Sequence, residues 1–215
     1  MNITVFCSSE SHPINKALNE WIHINSKQHT INMVRRKSEL MEGDLLLLIS
    51  CTEIITVQER NRFIKTLVIH ASDLPKGRGW SPHIWEIIGG ATNMTVSLLE
   101  AQDKVDSGAI WKKCNVDVPK HTLYDEINSL LFSAELALMD YAVENFHAAQ
   151  PNKQPDDIAA TYYPRRKIED SELDPNQSIA SQFELLRVCD PVRFPAFFEL
   201  HGHKYKLIIE KFKDE

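Results

Sequence analysis

Cysteine is scarce in this chain, and its four copies are scattered. Cys7, Cys51, Cys114 and Cys189 form no C-x-x-C pair, which argues against a zinc knuckle or a dithiol redox motif. Cys7, Cys51 and Cys189 lie in apolar runs and are expected as buried thiols. No apolar run is long enough to span a bilayer, and no basic segment leads into an apolar one near the start. The expectation is therefore a cytoplasmic protein without a membrane partner. An excess of basic charge is also missing. The formal net charge is -6, from 24 Lys and Arg against 30 Asp and Glu. That balance argues against a protein that coats nucleic acid, although it leaves room for a local basic pocket around a phosphorylated small molecule. There is no G-x-G-x-x-G, so the usual dinucleotide fingerprint is absent. His83, His201 and His203 make no metal-ligand pattern; surface or turn roles are expected for them, and no metal is expected.

What is present is an ordinary globular composition, 43% hydrophobic and 25% charged over 215 residues. That suits one medium domain, or one with a small appendage. Residues 2–7 are short, apolar and rich in β-formers, and read as a buried strand. Pro13 then opens a helix over 14–24, with Leu18, Trp21 and Ile22 on one face. The intervening loop lies at the carboxyl end of the first strand, the edge where open α/β sheets bind ligands. Ser8, Ser9 and Ser11 in it either cap the helix or meet a ligand. Residues 29–34 read as a second strand, followed by a charged Arg35-Arg-Lys37. The continuous apolar run 44–49 reads as a central parallel strand, buried on both faces. A helix over 82–88, ended by Gly89-Gly90, and strands over 94–100 and 109–118 complete an α/β pattern. A long helix from Leu123 to about residue 148 carries an apolar stripe through Ile127, Leu131, Ala134, Leu138 and Ala142, with Thr122 and Asp125 as its expected capping pair. The polar, proline-bearing stretch 150–157 reads as a linker. It divides a core of residues 1–149 from a small α+β part of residues 150–215, expected to hold a helix over 178–188 and a hairpin turning at residues 201–203.

The chemistry-bearing stretch is residues 67–108. A short apolar strand delivers His70, and a loop with one proline and two glycines follows. A second strand then delivers Asp103, Asp106 and Gly108. A histidine and an aspartate at the ends of neighbouring strands make a proton-handling pair. In the loop, Lys76 and Arg78 offer cations to a phosphate, Trp80 offers a stacking face, and Gly77 and Gly79 allow close backbone approach. For Arg78 an exposed loop tip is an equally good reading.

The order His70, Ser72, Leu74, Pro75, Gly79, then Asp106 and Gly108, resembles the folate-dependent formyltransferases. There a strand ends in His-x-Ser-x-Leu-Pro-x-x-x-Gly, and Asp-x-Gly follows one strand later. The resemblance implies a Rossmann-like formyltransferase core with a mostly parallel sheet and N10-formyltetrahydrofolate as co-substrate. It implies catalytic roles for His70 and Asp106, and a donor pocket formed by Ser50, Cys51, Thr52 and Ile55 with Asp103 and Val105. The family usually carries Asn two positions before the histidine; this chain has Val68. Asn93 is the nearest residue in sequence able to replace that amide, and a turn role suits it equally well. The run Tyr162-Tyr-Pro-Arg-Arg166, with Arg187 and residues 194–197, resembles the C-terminal part of sugar-nucleotide N-formyltransferases. It implies a nucleotide-sugar acceptor met by Ser9, Lys76, Gly77, Trp80 and Arg187. The loop variant is most similar to the branch acting on UDP-4-amino-4,6-dideoxy-N-acetyl hexosamines in pseudaminic-acid-type pathways for surface glycans. No nucleic-acid partner is implied, and a homodimer is left open. Two other functions stand beside this one: methionyl-tRNA formylation, and a folate- or nucleotide-binding module that has lost catalysis.

Overall fold

The computed structural model describes residues 1–212. Strands β1 (Asn2–Phe6), β2 (Thr30–Val34), β3 (Gly43–Leu48) and β4 (Phe63–His70) pair in parallel, in the spatial order β2-β1-β3-β4. Helix α1 (Asn15–Asn25) connects β1 to β2, and the one-turn α2 (Val57–Arg60) precedes β4. A two-residue strand β5 (Arg78–Gly79) and helix α3 (Pro82–Ile88) lead into β6 (Asn93–Glu100) and β7 (Ile110–Asp117). These last two strands extend the sheet antiparallel beside β4, with His70 opposite Ser97. The sheet is thus six-stranded and mostly parallel, with β7 at one edge as its charges suggested.

The run at 44–49 behaves as its composition requires. Leu45, Leu47 and Ile49 join one buried cluster, and Leu46 and Leu48 join another on the opposite face. Alternating Cβ directions send neighbours to opposite faces, so a strand covered on both sides must be apolar throughout. The first face is thickly covered. α1, α3 and the 21-residue α4 (Tyr124–Glu144) pack there through Leu18, Trp21, Ile87, Ile127, Leu131 and Leu138. The second face carries a small cluster of Phe6, Leu40, Leu46, Leu48, Ile55 and Phe63, with Cys51, Val68 and Ala101 half-buried at its margin. Val68 and His70 point to this thinly covered face, because they are out of phase with Leu67 and Ile69 of the first cluster.

The start of α4 differs from the expectation. Leu123 is the N-cap, and its backbone N–H donates to Glu126 Oε2 at 2.8 Å, whereas Thr122 turns its hydroxyl to the Pro119 carbonyl. The helix also stops at Glu144, short of residue 148. Beyond it, β8 (Tyr162–Tyr163) pairs in parallel with β5, and α5 (Phe183–Leu186) is a single turn preceded by a 3₁₀ turn at Ala180–Gln182, shorter than the expected helix. β9 (Ala196–Leu200) and β10 (His203–Leu207) form the hairpin, with His201 and Gly202 both at positive φ in its turn. The expected linker at 150–157 is fastened to the sheet rather than free. Asn152 bridges Ile110, and further on Val188 enters the main core.

Candidate active site

His70 ends β4 at the carboxyl edge of the parallel strands, with its ring almost fully buried. Nε2 lies 2.8 Å from the Gly77 carbonyl, which can only accept, so Nε2 carries a proton. Nδ1 faces Asp106 Oδ1 at 3.6 Å. The imidazole thus lies between a carbonyl on one side and a carboxylate on the other. Asp106 is itself buried, and its other oxygen accepts from the Gly79 backbone N–H at 3.0 Å. The backbone of Asp106 is left-handed, φ 55°. Aspartate tolerates that region better than most residues, yet it is maintained only where neighbours hold it.

The two glycines of the motif have steric reasons. A Cβ on Gly108 would lie 1.8 Å from the Glu100 carbonyl oxygen, and one on Gly79, at φ 98°, would lie 2.4 Å from the Tyr163 carbonyl oxygen. Both place the backbone where a side chain has no room.

Residues 50–55 and 101–106 do converge beside this pair. Arg60 is the tie: its guanidinium donates to the Ile55 carbonyl at 2.7 Å and pairs with Asp103. Ser50 is at φ 49°; Thr52 N–H donates to Ser8 Oγ, and Cys51 Sγ to the Glu53 carbonyl. Ile55 is buried, while Val105 stands exposed at the lip. Cys51, Val68 and Ala101 are half-buried against the small apolar cluster here, so an apolar patch is bordered by polar residues. Ser9, half-buried in the loop after β1, bonds Ser11.

The acceptor-side expectations divide. Gly77 is buried, its N–H donating to Thr161 Oγ1 at 2.8 Å. Lys76 is exposed, and Trp80 is partly exposed with the Arg165 guanidinium 5.0 Å over its ring. Arg78 is not a loop tip. It is buried, with Nη2 donating to Gln154 Oε1 at 2.6 Å and Nη1 to the Tyr162 hydroxyl. Arg187 is not brought to the site. Fully buried, it pairs with Glu184 at 2.6 Å and donates to the Pro119 carbonyl and to Thr122, clamping α5 against the start of α4. Nor is Asn93. It is exposed, opposite Asp117, and four residues beyond Ser97, roughly 13 Å further along the strand at about 3.3 Å per residue.

His83, expected at the surface, is half-buried, with Nδ1 enclosed and without a partner. Burial first, then the charges of His70, His12 and Arg166, push it down to about 3, so it is neutral at physiological pH. Sequence reading missed Arg60, Gln154 and Thr161. A lone arginine on a short helix and polar residues in irregular segments carry no periodic signal. Among the described residues no three His, Cys, Asp or Glu converge as metal ligands. A shallow depression of about 440 Å³ lined by Met1, His29 and Asp44 lies at the amino ends of the strands, away from His70.

Known proteins share this framework. The chain is 29% identical over 175 residues to a methionyl-tRNA formyltransferase of Protochlamydia amoebophila, an alignment covering 79% of this chain and 54% of that protein. The chain spans about half the length of the curated relatives it matches. Among solved structures, a methionyl-tRNA formyltransferase from Clostridium thermocellum superposes with a TM-score of 0.83 at 22% identity, covering 99% of this chain and 94% of that one. A 4-N formyltransferase from Francisella tularensis superposes with a TM-score of 0.77 at 15% identity, covering 99% and 98%. At those identities the superpositions speak for the fold. The sequence model described as formyl transferase matches residues 1–143, about two thirds of the chain, and the chain belongs to that family.

Proposed function

We propose that the protein transfers a formyl group from N10-formyltetrahydrofolate to the amine of a small, nucleotide-linked amino sugar. The observation that carries this reading is the buried His70–Asp106 pair beside the apolar patch of Cys51, Ile55, Val68 and Ala101. The amine nitrogen attacks the formyl carbon, a new C–N bond forms, and the bond from that carbon to N10 of the donor breaks. A proton must leave the attacking nitrogen and reach the departing one. His70 is the group suited to that transfer, and Asp106 stabilises its charged form and aims the ring. Between turnovers Nε2–H rests on the Gly77 carbonyl. Val68 offers no amide to the formyl oxygen, so the donor of positive charge there is His70 in its protonated form.

The proposed seat of the donor's pterin is this patch. Cys51, Ile55, Val68 and Ala101 supply apolar walls, and Ser50, Thr52, Asp103 and Val105 border them. On the acceptor side, Ser9, Lys76, Gly77 and Trp80 are the proposed contacts, with a stacking face at Trp80 and a cation at Lys76. The acidic net charge, -6, favours a small acceptor over a tRNA, whose backbone needs a broad basic surface. Methionyl-tRNA remains the second reading because the sequence relatives are named for it.

Purified protein given N10-formyltetrahydrofolate and a panel of amino-sugar nucleotides should release tetrahydrofolate and form the sugar formamide. Formylation of methionyl-tRNA, with no turnover of any sugar, would sink the sugar reading. Binding of folate with no turnover of either acceptor would sink formyl transfer itself.

A further inference from the structure

We propose that Gln154 is a positioning residue for the His70–Asp106 pair: its carboxamide, held by Arg78, fixes the backbone turn that carries the Asp106 carboxylate to the imidazole. The observation is a three-way clamp. Gln154 Nε2 donates to the Asp106 carbonyl at 2.8 Å and to the Gly108 carbonyl at 3.0 Å, and Gln154 Oε1 accepts from Arg78 Nη2 at 2.6 Å. An amide has two N–H groups on one nitrogen, so both carbonyls are served at once, and the guanidinium on the oxygen settles which end is which. Arg78 is fixed in turn. It is buried, bonded to the Tyr162 hydroxyl, and paired through its backbone to Tyr162.

This clamp sits where the backbone needs one. Asp106 is a non-glycine residue at φ 55° between two acceptor carbonyls. A left-handed conformation is unfavourable for a residue with a Cβ and is kept only if its surroundings over-determine it. The carboxylate of Asp106 reaches His70 Nδ1 at 3.6 Å and Gly79 N–H at 3.0 Å only in that turn. The titratable group facing His70 from α3 is His83, which senses His70, His12 and Arg166 and is held neutral. Asp106 is the carboxylate facing His70 Nδ1. Gln154 also joins two loops, because the residue beside Arg78, Gly79, is the donor to Asp106.

The clamp's share in turnover rests on the formyl-transfer reading, whereas the positioning itself does not. Gln154→Glu separates the two sides of the clamp: a carboxylate keeps the Arg78 contact but turns an acceptor toward two carbonyls. Gln154→Ala removes both sides and adds no charge. In the full-length protein, the imidazole signals of His70, assigned with His70→Asn, are titrated by NMR. Displacement of the Asp106 carboxylate from Nδ1 shifts the His70 midpoint downward from wild type in Gln154→Ala, whereas in Gln154→Glu the added carboxylate opposes that fall. Turnover number falls about 10-fold while KM for the folate donor stays within about 2-fold, the pattern of a disturbed proton-transfer step. A His70 titration in Gln154→Ala that coincides with wild type overturns the proposal. So does a loss of turnover that merely tracks a lost folded fraction. If the wild-type protein formylates nothing, the functional reading fails, and the NMR titration still judges Gln154.

Discussion

Glu135 should make this protein less stable as pH rises through neutrality, and removing its charge should reverse that. The residue lies on α4 within the apolar face that packs on the sheet; it is 5% exposed, and its Oε2 has no partner. Burial pushes its carboxyl up from 4.5 to about 8. The folded state therefore holds a proton that the unfolded chain has released, throughout the window from pH 4.5 to about pH 8. An acid whose folded-state pKa is raised favours folding at low pH, and stability falls as pH rises across that window. The loss accumulates at about 1.4 kcal/mol per pH unit, reaching about 3 kcal/mol at pH 7. That is a large part of the roughly 5–15 kcal/mol that holds a domain together. Urea denaturation of wild type, Glu135→Gln and Glu135→Leu at pH 5, 6 and 7 isolates the effect. Carboxylates with the opposite tendency, such as Glu39, Glu59, Glu126 and Asp174, all held low by hydrogen bonds, cancel in the differences. The stability of each variant relative to wild type should rise by about 2–3 kcal/mol between pH 5 and pH 7. A gap that does not change with pH would refute the reasoning, because it would mean that Glu135 ionises as easily folded as unfolded.

Other expectations concern the site. His70→Asn and Asp106→Asn should each lower formyl transfer at least about 100-fold with folate affinity near wild type, as isothermal titration and steady-state rates would reveal; normal turnover in either would remove that residue from proton transfer. Arg60→Ala should weaken folate binding up to about 10-fold through loss of the tie between Ile55 and Asp103, while leaving the melting temperature nearly unchanged because Asp103 is exposed. An unchanged folate affinity would show that those two segments hold their places without it. Gly79→Ala should destabilise the fold by about 2 kcal/mol or more in chemical denaturation, because its Cβ has no room beside the Tyr163 carbonyl.

Much of the framework was legible from local pattern. The apolar run at 44–49 required a two-sided strand and became β3 between β1 and β4. Pro82 and the Gly89-Gly90 pair bounded α3 at its observed residues. Less was legible where contacts decide. Thr122 and Asp125 had the spacing of a cap, but Glu126 reaches the Leu123 N–H instead. Arg187 looked like a cation for a substrate and is a buried clamp, because Glu184 and the Pro119 carbonyl surround it. Asn93 is near His70 in sequence, but antiparallel pairing sets Ser97 opposite His70 and leaves Asn93 further along β6, opposite Asp117.

The stretch from His70 to Gly108 shows the division most clearly. By itself the sequence determined that a histidine ends a strand, that an aspartate and a glycine follow on the next, and that the family amide is replaced by Val68. Those are properties of residue type and spacing, which local propensity and alternation express directly. Only the tertiary structure decided that His70 Nδ1 meets Asp106, that Gly77 covers Nε2, and that Gln154, 48 residues after Asp106, holds the turn between them. Such contacts join segments far apart in the chain through single hydrogen bonds. Polar residues in irregular segments have no period to announce them, so their partners are fixed only when the sheet and its loops have closed around them.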